Sequence, residues 1–209
     1  MDFEILQRDA HEWCQEHMGT VPAIVTSIPD MSELDMNEAD YILFLRESTN
    51  RILQCLTDKG YAIFIQTDRK SKGLIDKSYH ISDEAIRICG FRMMFHKIAL
   101  IRGVDVNDLY KPTYTHILCY SNKGKPGRST PDVFNRGDVL YKNGAGKEAV
   151  LRCLEFLKKQ KIETVVDPFV GQGTVILLAI QLGFKGGVGL DIDETQCVLA
   201  RQNIYDMDS

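Results

Sequence analysis

Two stretches near the end of the sequence carry residue types that bind a nucleotide-like ligand. Asp167-Pro168-Phe169-Val170-Gly171-Gln172-Gly173-Thr174 follows one apolar run, and a second apolar run ends at Asp191. Glycines allow a sharp turn and let the backbone approach a ligand closely. Asp191 lies 20 residues after Gly171, the spacing at which an acid at the end of the next strand accepts hydrogen bonds from ribose hydroxyls. The residues therefore predict a strand, a glycine-rich turn and a helix that bind a nucleoside.

Another polar turn, Thr26-Ser27-Ile28-Pro29-Asp30, ends an apolar run early in the chain. Ser27 offers a hydroxyl, Asp30 offers a carboxylate, and Pro29 stiffens the turn. The backbone carbonyl of Ile28 is an acceptor whatever the side chain is. Because ligands bind at the carboxyl ends of strands in an open α/β sheet, this turn is a candidate for contact with a ligand. A chance Ser-x-Pro turn is the alternative.

No set of residues has the number and spacing of ligands that a metal site needs. His11, Cys14 and His17 are three residues apart, but a structural zinc site takes four ligands, and Trp13 among them indicates a packed or surface helix. The six cysteines are scattered singly, which predicts buried, reduced thiols in a cytosolic or nuclear protein. We therefore predict no metal ion and a cytoplasmic location, with the nucleus as the alternative.

The elements that hold these residues alternate between short apolar runs and amphipathic segments, the pattern of an α/β fold with a largely parallel sheet. Strands are predicted at 3–7, 23–27, 61–66, 91–101, 115–120, 163–166 and 187–192. Helices are predicted at 9–18, 40–57, 74–89, 146–160, 173–182 and 194–203, with Gly60 capping the second of them. Residues 123–141 carry Gly, Pro and Ser and predict a loop.

Length and charge limit the classes of protein that fit. The chain of 209 residues predicts a single domain, with a substrate half at 1–122, a basic loop at 123–145 and a ligand-binding half at 146–209. A net charge of −4 excludes a uniformly basic nucleic-acid-binding surface. Residues 121–147 nevertheless carry six Lys/Arg against two Asp, which indicates either a solvated loop or a phosphate-contacting edge. No apolar run reaches membrane-spanning length, so no membrane association is predicted.

At these motifs the chain resembles the β-class of permuted amino-methyltransferases, the N4-cytosine and N6-adenine type. That family carries Asp-Pro-Phe-x-Gly-Ser-Gly-Thr and then Gly-Ile-Glu-Leu-Asp-Pro, which look like residues 167–174 and 189–194 here. Gln172 replaces the usual Ser, and Asp191 replaces the usual Glu. Residues 26–30 look like the family's Thr-Ser-Pro-Pro-Tyr corner, in which the aromatic residue stacks on a base. Asp30 is the departure, since a carboxylate cannot stack.

The resemblance implies a Rossmann-like class I methyltransferase fold. It has a seven-stranded, mostly parallel sheet with helices on both faces, and it is circularly permuted so that the cofactor motif is C-terminal. The implied cofactor is S-adenosyl-L-methionine. The residues implied to bind it are Asp9, Thr26, Asp167, Pro168, Phe169, Gly171, Gly173, Thr174, Asp191, Ile192, Asn143 and Gly144. Those implied to act on the acceptor are Ser27, Ile28, Pro29 and Asp30.

The implied activity is transfer of a methyl group to a nitrogen of a nucleic acid. Sequence-reading DNA methyltransferases of this class carry a target-recognition region, and residues 121–146 are too few to form one. RNA is therefore expected in preference to DNA, because structured RNA can be recognised through its shape and phosphates. A partner subunit that brings the substrate is a further option. The alternatives are a protein or small-molecule methyltransferase, or an inactive subunit that supports a partner.

Overall fold

The computed structural model describes residues 2–70, 75–127, 130–141 and 144–206. These residues form one eight-stranded sheet with helices on both faces. The strands are β1 Asp2–Gln7, β2 Val21–Thr26, β3 Leu56–Gln66, β4 Arg92–Leu100, β5 Tyr114–Ser121, β6 Val133–Asn135, β7 Thr164–Asp167 and β8 Gly186–Asp191. The helices are α1 Ala10–Glu16, α2 Glu38–Cys55, α3 Lys77–Asp83 with a π-helical continuation at Glu84–Ile88, α4 Lys147–Lys159, α5 Thr174–Gln181 and α6 Glu194–Tyr205.

The sheet order is β1-β8-β7-β2-β3-β5-β4-β6. The first five strands in that order run parallel, and β5 is antiparallel to both of its neighbours. Two strands from late in the chain, β7 and β8, thus lie between two strands from early in the chain, β1 and β2. The carboxyl ends of these parallel strands share one edge of the sheet. This confirms the predicted α/β fold with a mostly parallel sheet.

The sheet has one strand more than the seven predicted. The additional strand, β6, lies within residues 123–141, which were predicted as loop. It pairs in parallel with β4, from Ile98 opposite Val133 to Leu100 opposite Asn135. Three residues are too few to show an alternating pattern in the sequence. Their pairing gives partners to backbone groups that β4 would otherwise expose at the sheet edge.

The predicted end of α2 was wrong. The helix ends at Cys55, and Leu56 already has the extended backbone of β3. Gly60 lies within β3 instead of capping α2. A Cβ on Gly60 would lie 2.9 Å from the carbonyl oxygen of Val21, so glycine here allows β3 to approach β2 beside a register shift.

The core has two layers, one on each face of the sheet. Alternate residues of β3 point to opposite faces, with Ile63 and Ile65 on one and Ala62 and Phe64 on the other. The first layer packs against α4, α5 and α6, and the second packs against α1, α2 and α3. All six cysteines are free. Five of them are buried, as predicted, whereas Cys89 is only partly buried. In the part of the chain that the structure describes, no helix is both long and apolar enough to cross a bilayer.

Candidate functional site

The candidate site lies where β7 and β2 pair, at the carboxyl edge of the sheet. Ile24 and Val166 are opposed in the two strands, so the strands' last residues are neighbours. The hydroxyl of Thr26 donates a hydrogen bond of 2.7 Å to Oδ1 of Asp167, and both side chains are buried. The glycine-rich turn and the Ser27 turn are therefore adjacent, and one hydrogen bond joins the strand ends that precede them.

Asp167 is buried, with only 3% of the residue exposed to solvent. Burial raises the pKa of Asp167 to about 7, although hydrogen bonds from Thr26 and from the amide of Phe169 act in the opposite direction. The negative charge of Asp191 contributes to this rise. Near neutral pH, a cation placed beside Asp167 would shift the group towards its ionised form.

Glycine is required at two positions of the turn after β7. Gly171 has a φ of +50°, and its amide donates a 3.0 Å hydrogen bond to Oδ2 of Asp191. Gly173 has a φ of +92°, and a Cβ there would lie 3.2 Å from the Cβ of Ala200 in α6. Both backbones are in the left-handed region that favours glycine. The turn is therefore tight against both α6 and the end of β8.

Asp191 ends β8 and is half-buried. Its Oδ1 accepts a 2.9 Å hydrogen bond from the amide of Asp193. Burial raises the pKa of Asp191, opposed by the amides of Asp193 and Gly171. The next residue, Ile192, is 70% exposed. The carboxylate of Asp191, fixed by backbone amides, is suited to accepting hydrogen bonds from a ribose. The exposed side chain of Ile192 is suited to packing against the base of the same nucleoside.

The other residues that were expected near the cofactor surround the same edge. Asp9 follows β1 and caps α1, because its Oδ1 accepts from the amides of His11 and Glu12. Pro168 and Thr174 are buried, the latter as the first residue of α5, while Phe169 is partly buried. Asn143 lies outside the described residues.

Ser27 is exposed and lines a cavity of about 310 Å³ over the ends of β2, β3 and β5. The other lining residues are Ile65, Thr67, Thr115, Arg136, Val139, Gly144, Ala145, Gly146 and Ala149. The hydroxyls of Thr67 and Thr115 are hydrogen-bonded at 2.7 Å, so polar groups cover one wall. Arg136 is held through its backbone, which donates to Leu100 and accepts from Ala149. Gly144, which was expected to bind the cofactor, lines this cavity together with Ser27.

The backbone of Ile28 is held by a side chain that the sequence reasoning missed, Gln66. Its Oε1 accepts from the amide of Ile28 at 3.0 Å, and its Nε2 donates to the carbonyl of Ile28 at 2.9 Å. The next carbonyl, that of Pro29, accepts a 3.0 Å hydrogen bond from the hydroxyl of Tyr41. Tyr41 is fully buried, so it cannot supply the stacking surface that Asp30 lacks.

Asp30 forms an ion pair with Lys77, whose side chain is 2% exposed. Its Oδ1 also accepts from the amide and hydroxyl of Ser32, capping a 3₁₀ turn at Met31–Glu33. Burial raises the pKa of Asp30, but the hydrogen bonds from Lys77 and Ser32 outweigh it, so the pKa lies below its ordinary value. Asp30 is therefore an ionised, anchored carboxylate.

A polar chain lies on the same side of the sheet as Gln66. Nε2 of His116 contacts Asp68 at 3.0 Å, and Nδ1 of His116 contacts Nε2 of His96 at 2.8 Å. His96 and His116 thus lie on one face of the sheet. Asp68 also accepts from the amide of Ser78, which fixes the start of α3. Lys77, the neighbour of Ser78, is thereby held beside Asp30.

The described residues contain no group of three side chains able to hold a metal ion. His11 contacts the hydroxyl of Ser48 at 2.8 Å, and His17 contacts the carbonyl of Trp13 at 2.8 Å, so both have partners within the fold. Of the basic residues in 121–147, Lys123 pairs with Asp58, and Arg128 and Lys142 lie outside the described residues.

Comparisons with known proteins support the fold. No protein-family model matches the chain. The ribosomal protein L11 methyltransferase of Pasteurella multocida (strain Pm70) is 32% identical over 88 residues, which are 41% of this chain. The match spans only 29% of the length of that protein.

Solved structures match over nearly the whole chain. The cytosine-N4-specific PvuII DNA methyltransferase superposes with a TM-score of 0.76 and 12% identity, covering 97% of this chain and 86% of its own. A putative DNA modification methylase from Thermus thermophilus superposes with a TM-score of 0.74 and 17% identity, covering 98% and 95%. The same methylase complexed with S-adenosyl-L-methionine superposes with a TM-score of 0.71 and 16% identity, covering 98% of this chain and 95% of its own.

At these identities the likeness is one of fold. The chain has the Rossmann-like fold of S-adenosylmethionine-dependent methyltransferases, as the resemblance implied. The two proteins compared above are described as a cytosine-N4-specific DNA methyltransferase and a putative DNA modification methylase.

Proposed function

We propose that the chain is an S-adenosylmethionine-dependent methyltransferase that acts on a nitrogen of a nucleic acid, RNA in preference to DNA. One observation carries this proposal. The glycine-rich turn and the Ser27 turn are joined by the Thr26–Asp167 hydrogen bond, and a polar cavity opens at Ser27. A methyl donor on the β7 side would thus lie beside an acceptor on the β2 side.

On the donor side, each residue has a proposed role. Asp191 accepts hydrogen bonds from the ribose, Ile192 covers the adenine, and Asp9 lies near the adenine edge. Gly171 and Gly173 let the backbone approach the cofactor, with Pro168, Phe169 and Thr174 shaping that wall. Asp167 and Thr26, with Asn143 and Gly144, take the methionine end. When bound, the cofactor supplies an electrophilic methyl group on a sulfonium.

On the acceptor side, Ser27 and Ile28 would hold the amine. The Ser27 hydroxyl and the Ile28 carbonyl accept its N–H hydrogen bonds, which frees the nitrogen lone pair for an in-line attack. Much of the rate then comes from alignment. Asp30 is best suited to recognising a polar group of the acceptor, because an ionised carboxylate with a lowered pKa is a weak proton acceptor. Pro29 keeps the turn stiff between them.

The preference for RNA rests on the sequence, since the matched structures are DNA methylases and support a nucleic acid of either kind. Residues 121–146 are too few for a recognition domain. A partner subunit could supply recognition instead. A cytoplasmic location fits an RNA substrate. Methylation of a protein is the second candidate, supported by the partial match to ribosomal protein L11 methyltransferase.

The test is incubation of the purified chain with methyl-labelled cofactor and separate pools of RNA, DNA and protein. We expect label in the RNA pool, released by nuclease digestion as a methylated base. Label in the protein pool alone would overturn the proposal in favour of the second candidate. Cofactor binding without transfer to any pool would indicate an inactive subunit.

A further inference from the structure

Gln66 is the last residue of β3, and its side chain is buried, with the residue 2% exposed. A buried amide must find partners for its oxygen and its nitrogen, because a buried polar group without a hydrogen bond destabilises the fold. Both partners come from one residue, since the Gln66 amide pairs with the N–H and the C=O of Ile28. The two hydrogen bonds form a closed ring of the kind seen between paired amides.

The identity of residue 28 explains why this pairing exists. In the Thr-Ser-Pro-Pro-Tyr corner of the amino-methyltransferases that this chain resembles, the third residue is proline. Ile28 occupies that position here. Proline has no N–H, so an isoleucine brings a backbone donor into a buried position. Oε1 of Gln66 satisfies this donor. The nitrogen of the same amide then necessarily faces the carbonyl of Ile28, which is the carbonyl proposed to hold the acceptor amine.

We propose that Gln66 is a positioning residue for methyl transfer, an inference that rests on the proposed function. Its two hydrogen bonds fix the peptide planes on both sides of Ile28. The peptide group between Ser27 and Ile28 includes the Cα of Ser27, so the orientation of this peptide plane sets the direction of the Ser27 hydroxyl. The second plane carries the Ile28 carbonyl, which has two lone pairs, one used by Gln66 and one left for the amine.

The placement of Gln66 fits this role. Its chain neighbours, Ile65 and Thr67, line the cavity, so Gln66 points to the other face of the sheet and holds the turn from behind. It is opposed in register by His116, which Asp68 and His96 fix in turn. Gln66 thus touches neither acceptor nor cofactor.

The test compares Gln66→Met and Gln66→Glu with the wild type. Gln66→Met removes both hydrogen bonds at similar volume, and we expect kcat to fall roughly 10- to 100-fold, with the Kd of the cofactor unchanged. In Gln66→Glu the protonated carboxyl can both accept from the N–H and donate to the carbonyl, whereas the ionised carboxylate repels the carbonyl. Its kcat should therefore be highest at low pH and fall in one additional titration step that the wild type lacks.

A purely structural role would not produce that titration step. Thermal unfolding at each pH separates it from loss of fold, and Gln54→Met, at an exposed glutamine of α2, is the matched control. Unchanged kcat in Gln66→Met, or a pH profile of Gln66→Glu parallel to the wild type, would overturn the inference while leaving the proposed function intact. A wild type that transfers no methyl group would instead overturn the proposed function, and this inference with it.

Discussion

At the scale of single residues, Asp167 is proposed to bind the cofactor, and its buried carboxyl group also lowers the free energy of unfolding at neutral pH. Its carboxyl group is buried at the point where a cationic methyl donor is proposed to lie. The same burial raises the pKa of Asp167 from 3.8 to about 7. Between those values the folded protein keeps a proton that the unfolded chain releases. Asp167 therefore makes the free energy of unfolding fall as pH rises from about 4 to about 7.

Replacing Asp167 by asparagine removes that pH dependence. We expect Asp167→Asn to be more stable than the wild type at pH 8, by as much as about 4 kcal/mol, with a smaller difference at pH 5. Asparagine keeps an oxygen that accepts from Thr26 and Phe169. Urea unfolding at pH 5, 6.5 and 8 measures the difference, with Asp105→Asn, at an exposed acid, as control. A difference independent of pH would contradict the burial of a titrating carboxyl.

Asp191 and Asp30 separate binding from turnover. Asp191→Ala removes the proposed ribose acceptor and should weaken cofactor binding about 10- to 100-fold, the loss expected for hydrogen bonds to a charged group. Asp30→Asn retains an acceptor for Ser32 and should lower kcat at unchanged cofactor affinity. Calorimetric titration and single-turnover assays distinguish the two. Normal cofactor binding by Asp191→Ala would refute its proposed contact with the ribose.

At the scale of elements, the Asp30–Lys77 ion pair connects the 3₁₀ turn after β2 to the first residue of α3. Lys77 is almost fully buried, so its ammonium depends on this partner. Asp68, which follows β3, fixes the same end of α3. The corner is therefore supported by a helix that lies far from it in the sequence.

Lys77→Met should destabilise the fold by about 1–3 kcal/mol, because it leaves a partly buried carboxylate without its cation. Adding Asp30→Asn should recover part of this loss, since the uncompensated charge is then removed as well. The measurement is a double-mutant cycle by urea unfolding, with Lys123→Met, which breaks an exposed ion pair with Asp58, as the control. Strict additivity of the two changes would show that the pair is not coupled.

At the scale of the whole molecule, the proposed cofactor site draws on several separate parts of the chain. Three of them lie at the carboxyl ends of the neighbouring strands β2, β7 and β8, namely Thr26, residues 167–174 and residues 191–192. We expect S-adenosylmethionine to slow amide hydrogen exchange in all three, and to leave the outer edge formed by β4 and β6 unchanged. Mass spectrometry of peptides with and without cofactor measures this. Protection confined to one segment would contradict a site at the junction of β7 and β2.

The sequence predicted those parts of the site that depend on local spacing. The turn at 167–174 and Asp191 were found because strand, turn, helix and strand follow one another at fixed distances. Gln66 and Lys77 were missed, since a polar residue acquires its buried partner only when distant segments meet. Gly60 was wrongly predicted to cap α2 for the same reason, because the absence of a side chain there allows β3 to lie close to β2, a distant segment of the chain. The strand β6 has too few residues to show a period.

The strand order also governs when the molecule can fold during its synthesis. Strand β1 pairs with β8, and the paired residues Asp2 and Gly186 are 184 positions apart in the sequence. Strand β2 pairs with β7, and the paired residues Ile24 and Val166 are 142 positions apart. Until the last strands leave the ribosome, β1 has no partner and one edge of β2 is open. Closing such long loops is slow, and open edges invite association with other chains. Until β7 and β8 have been synthesised, the nascent chain therefore lacks the proposed cofactor site, and β1 and one edge of β2 are unpaired.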